Sequence, residues 1–170
     1  KIINEELIHL SILSKKSEIL QFLLQNANIN ISEEKKENMM YSVIQIRSFN
    51  CLKVLIDSGF IFKDNHAETF KSPLELCAFY HFLPAIKYYV EVEKTPITSE
   101  IIYYAIDSAF NKNSMKSNKD IKYIINQASD EEIKKRIRKE TIIHTLNKHD
   151  VNIEITKMVL ERGANVNSLD

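Results

Sequence analysis

Glycine is almost missing. The chain of 170 residues holds two, Gly59 and Gly163, where an ordinary protein has about 7%. Phosphate-cradling loops need closely spaced glycines, so a nucleotide site of the P-loop or G-x-G-x-x-G type is excluded. Sheet-rich folds, with their many tight turns, are disfavoured for the same reason. Tryptophan is absent, and there are only three prolines and two cysteines. Cys51 and Cys77 have no C-x-x-C spacing, and each sits in an apolar helical pattern. That predicts two buried free thiols ahead of a disulfide or a metal pair. Reduced thiols suit a cytoplasmic setting. Neither sign of charge is in excess, with 23 basic and 23 acidic side chains. The chain therefore exerts no long-range pull on phosphate, and nucleic acid is not an expected partner. No apolar run approaches the roughly 20 residues that span a bilayer, so no membrane is expected either. The opening Lys1-Ile2-Ile3-Asn4-Glu5-Glu6 turns acidic at once and is not a signal peptide. Arginine is scarce beside lysine, isoleucine and asparagine. This bias accompanies AT-rich genomes, such as those of some intracellular bacteria, large DNA viruses and protists. For such a source the host cytosol is the expected compartment.

What the chain does have is helical periodicity, and it repeats. Ile8, Ile12 and Leu13 form one stripe, and Ile19, Leu20, Leu23 and Leu24 a second. The polar Ser14-Lys15-Lys16-Ser17-Glu18 separates them, which reads as helix, tight turn, helix. The pattern returns with Met39, Met40, Val43 and Ile44 leading to Leu52, Leu55 and Ile56. It returns again from Pro73, Ile101 and Ile142. Equivalent first positions are Glu6, Asn38, Ser72, Glu100 and Thr141, unevenly spaced around a common step. Their mean period, roughly 34 residues, belongs to a solenoid. The expected architecture is all-α, with one array of five units at residues 6–37, 38–71, 72–99, 100–140 and 141–170. The absent initial Met and a stop just after the fifth ending suggest a segment of a longer array.

Ser72-Pro73-Leu74-Glu75-Leu76-Cys77-Ala78 resembles the T-P-L-H-x-A-A opening of the ankyrin repeat family. Thr141-Ile142-Ile143-His144 and Glu6-Leu7-Ile8-His9 are weaker copies. Met158-Val159-Leu160-Glu161-Arg162-Gly163-Ala164-Asn165-Val166-Asn167 is similar to the family's ending, and Leu23 to Asn30 repeats it with one residue missing. The resemblance implies an ankyrin-type solenoid. There are departures. Lys15, Arg47 and His81 replace the family's glycine between the two helices. The inter-repeat loops read Ser32-Glu33-Glu34-Lys35-Lys36-Glu37 and Asp64-Asn65-His66-Ala67-Glu68-Thr69, without the usual Asp and Gly. Asn111 to Asn118 looks like a polar insertion. Ser129 to Glu140 has its acids first and its bases last, which complements a helix dipole and predicts an extra helix.

Chemistry is hard to find. His9 and His144 fall where the ankyrin histidine braces its turn, a structural role implied by the resemblance and favoured over metal binding. His66, His81 and His149 read as surface or groove residues. Cys77 and His81 are four residues apart, but a packed thiol beside a helix end makes a poor nucleophilic dyad. The pairs Glu33-Glu34 and Glu131-Glu132 lie in charged stretches, without the shielded pocket that acid–base work needs. The expectation is a chain that is no enzyme, carries no cofactor or metal, and works as a monomer.

The resemblance implies a module that binds a partner protein through loop tips and the groove-facing ends of the first helices. The contacts it implies are Gln45, Ile46, Glu68, Lys71, Phe79, Tyr80, Asp107, Ser108, Lys148 and His149. Phe79 and Tyr80 stand out, because exposed aromatics in a groove are typical binding anchors, although Phe79 could equally fill degenerate packing. Tyr89 is expected in the core. Two competing readings are a substrate-recruiting segment of a larger enzyme or effector, with catalysis encoded elsewhere, and a structural spacer.

Overall fold

A computed structural model describes residues 5–26, 31–62, 70–111, 118–136 and 153–165. Among these residues every regular element is helical and none is a strand. The chain divides into two compact units, residues 1–73 and 74–170.

The first unit is two helical hairpins. Helix α1 (Glu5–Leu13) and α2 (Ser17–Asn26) form one, and α3 (Glu33–Gln45) and α4 (Phe49–Asp57) the other. Within it α1 packs on α3 and α2 on α4, so the hairpins stack with like helices facing. The shared core is Ile8, Ile12, Leu20, Met40, Val43, Ile44, Leu52 and Leu55. These residues fall at the three- and four-residue steps that keep side chains on one helical face. The run Ser32–Glu37, expected as a loop, is instead the beginning of α3. Ser32 Oγ accepts from Lys35 N at 3.4 Å, and Glu33 and Glu34 sit at the positive end of the helix dipole. A capping serine followed by acids is a helix start, and it outweighs the absence of apolar residues in that turn.

In the second unit, α5 (Pro73–Phe79) and α6 (Leu83–Lys87) are followed by a π-helical turn, Tyr88–Val92. There the amide of Glu93 reaches the carbonyl of Tyr88, five residues back, at 3.2 Å. Then come α7 (Ser99–Asn111), α8 (Lys119–Gln127), α9 (Asp130–Arg136) and α10 (Ile153–Glu161). Helix α7 packs on α8 and α9, while α8 also packs on α6 and α10. The helix expected from the charge order after Ser129 is α9, with Ile133 buried. Tyr89 is buried, as expected of a core ring. The segments 63–69 and 112–117, which hold all of the second inter-repeat loop and most of the polar insertion, lie outside the described residues, as does the region of Thr141 and His144.

One local geometry recurs. Lys15, Arg47 and His81 all adopt left-handed backbone, with φ of 56°, 55° and 54°. In each case the amide of that residue bonds the carbonyl three back: Lys15 to Ile12 at 2.8 Å, Arg47 to Ile44 at 3.0 Å, His81 to Ala78 at 3.1 Å. The next amide bonds five back: Lys16 to Ser11 at 2.9 Å, Ser48 to Val43 at 3.2 Å, Phe82 to Cys77 at 2.9 Å. This is the Schellman stop, which satisfies the orphan carbonyls at a helix end. Glycine usually takes the left-handed position, and an L side chain there costs roughly 1–2 kcal/mol. The missing glycines therefore left the turn intact and cost stability instead. Gly59 and Gly163 occupy the same position after α4 and α10, with φ of 80° and 89°.

Candidate functional site

Among the described residues, polar side chains gather in a cleft of the first unit and around His81 in the second. In the first unit a cleft of about 450 Å³ opens between α1 and α3. Glu5, Glu6 and His9 come from α1, and Lys35, Asn38, Met39, Tyr41 and Ser42 from α3. Glu5 and Lys35 form an ion pair across it. Positions three and four apart on each helix supply these groups, so the cleft is a stripe of each helix left open where the two first helices run side by side. His9 is exposed and lines this cleft. None of the cleft residues figured among the expected contacts. The available signal was that the amphipathic His9 and Tyr41 follow the buried Ile8 and Met40 by one residue, about 100° round each helix, and so border the buried stripe.

In the second unit His81, expected at the surface or in a groove, is half-buried. Its imidazole is largely buried, with Nδ1 against the carboxylate of Asp120 on α8 and Nε2 3.0 Å from Ser108 Oγ on α7. Asp120 is buried in the first turn of α8, where the helix dipole favours a carboxylate. Serine, imidazole and carboxylate in this order are the parts of a hydrolytic triad, which is recognised by geometry. Access and hydrogen bonding oppose that use. Ser108 is fully buried in mid-helix, and its Oγ lies 2.6 Å from the carbonyl of Tyr104. A hydroxyl–carbonyl distance this short places the hydroxyl hydrogen on the line between them. The hydroxyl is then bonded to the helix backbone, and a general base would need it directed at the imidazole. The network reads as a brace tying the α5–α6 turn to α7 and α8. The possible Cys77–His81 dyad is likewise absent. Cys77 is fully buried, burial pushes its thiol far above the ordinary range, and His81 faces the other way.

The expected partner contacts that are described fall in both units. Gln45 is exposed and Ile46 half-buried at the end of α3, and Lys71 is exposed before α5. Phe79 and Tyr80 are both half-buried, edge to face with centroids 5.2 Å apart. Asp107 is half-buried. Ser108 is a correction: its side chain belongs to the interior and is not offered to a partner. The buried apolar face of α7 continues through Ala105 and Ala109, and the hydroxyl lies within it by bonding its own helix. Glu68, Lys148 and His149 lie outside the described residues.

Comparison with models of protein families, with characterised proteins and with solved structures finds no match. Among the described residues no helix is long and apolar enough to cross a membrane.

Proposed function

We propose that the chain is an ankyrin-type helical-repeat scaffold that binds a partner protein through the open face of its first helices. The observation that carries this reading is the helix stop repeated at Lys15, Arg47 and His81, with matching hydrogen bonds at each. Hairpins closed the same way and stacked with like helices facing form a repeat array, whose extended faces serve recognition. The α1–α3 cleft supports the binding side of the proposal. It offers an aromatic ring (Tyr41), paired charges and amide and hydroxyl groups on rigid helices, which is the mixture found at protein interfaces. Phe79 and Tyr80 are a second candidate anchor, in the other unit.

The test is affinity capture from candidate host cells, followed by quantitative binding of whatever partner is recovered. Tyr41→Ala or Tyr80→Ala should weaken binding at least tenfold, equivalent to about 1.4 kcal/mol, with each variant's fold checked by its melting curve. Tyr89→Ala is the folding control, expected to lower stability by about 3–5 kcal/mol. A partner bound equally well by both surface variants would rule out these faces as the binding site.

A further inference from the structure

The hairpin α1–α2 has a second apolar face. Leu7, Leu10, Ile19 and Phe22 are 47%, 57%, 52% and 62% exposed. Leu7 and Leu10 are one helical turn apart on α1, as are Ile19 and Phe22 on α2, so each helix carries a short outward stripe. The shared helix stop puts the two hairpins of the first unit in register, with Lys15 equivalent to Arg47. In that register Leu7 corresponds to Met39 and Ile19 to Cys51, which are 5% and 0% exposed. Met39 lines the cleft on the side of α3 that faces α1. Leu10 and Phe22 correspond to Ser42 and Val54, which are half-buried, so all four positions are more covered on α3–α4 than on α1–α2.

From this register we propose that the Leu7–Leu10–Ile19–Phe22 face is a stacking surface for one further helix–turn–helix hairpin, lying on α1–α2 as α1–α2 lies on α3–α4. The proposal rests on the hairpin register alone and holds whether or not the cleft binds a partner. The occupant's chemistry follows from the interface it continues. It presents two antiparallel helices whose contact side carries branched aliphatic residues, as α1–α2 does with Ile8, Ile12, Leu20 and Leu23. Its contact side is free of charge, because four large apolar side chains leave nothing to satisfy a buried one.

The experiment attaches a duplicate of residues 1–32 ahead of the full chain, so that the added helix stop precedes Lys15 by the same interval at which Lys15 precedes Arg47. Amide exchange within Leu7–Leu13 and Ile19–Leu23 should slow at least tenfold, and the melting temperature should rise by several degrees. Ile19→Asp with Phe22→Asp in the original hairpin should cancel both gains while leaving the unfused chain's melting temperature within about a degree. Exchange unchanged by the fusion would overturn the proposal. So would concentration-dependent dimerisation of the unfused chain that the double Asp variant abolishes, because a second copy would then be the occupant.

Discussion

His81 carries its imidazole from a left-handed helix stop onto the buried carboxylate of Asp120, 39 residues further along the chain. Lys15 and Arg47 hold the same backbone conformation with exposed side chains. The three positions should therefore answer differently to glycine. Lys15→Gly and Arg47→Gly should each stabilise the protein by about 1 kcal/mol, through relief of the left-handed strain. His81→Gly gains the same relief but leaves Asp120 buried without its partner, a loss of about 3 kcal/mol or more. A net fall of about 2 kcal/mol in urea unfolding is expected. If all three substitutions stabilise, the His81–Asp120 brace contributes nothing.

Arg162 should be a second structural tie. Its guanidinium donates to the carbonyls of Ile125 and Ala128 at the end of α8, the latter at 2.7 Å, and pairs with Asp130 at the start of α9. One planar fork thus satisfies the end of one helix and meets the acidic start of the next. Arg162→Ala should cost about 2 kcal/mol. Arg162→Lys should recover less than half of that, since a single ammonium cannot match the fork. Full rescue by lysine in the same melts would contradict the forked geometry.

Acid should loosen the contact between α7 and α9. Glu132 accepts from Lys135 and from the amide of Ser99 at 2.8 Å, and these donors hold its carboxyl below the ordinary value of 4.5. A carboxyl depressed by folding adds stability above that ordinary value and loses it as pH falls through its folded value. Wild type should therefore lose more stability than Glu132→Gln between pH 6 and pH 3. Equal losses in parallel urea titrations would show that the capping bond to Ser99 is energetically silent.

Neither thiol should react in the folded protein. Cys51 and Cys77 are fully buried and unpaired, and burial raises the Cys77 thiol well above the range in which thiolate forms. A chromogenic disulfide reagent at pH 8 should label neither residue until denaturant is added, and then both. Rapid labelling of Cys77 without denaturant would mean that α5 opens readily.

The helices and most of their ends can be read from local sequence. Met40, Val43 and Ile44, or Ile121, Ile124 and Ile125, stand three and four residues apart, and only a helix puts such a triplet on one face. Helix stops were legible at Lys15, Arg47 and His81 even without glycine, because the apolar rhythm broke there, and hydrogen bonding between near neighbours settles such turns locally. The start of α3 was also written locally, in Ser32 and the two acids after it, although the missing apolar residues hid it. Which polar residues meet is set by packing between distant helices. His81 finds Asp120 and Ser108 across 39 and 27 residues of chain, and no periodicity relates positions so far apart. The same holds for Glu5 and Lys35, which meet because α1 lies along α3. Helical rhythm specifies the face a residue takes on its own helix. The partner it meets depends on how helices from distant segments pack, so Ser108 was expected at a surface and lies in the interior.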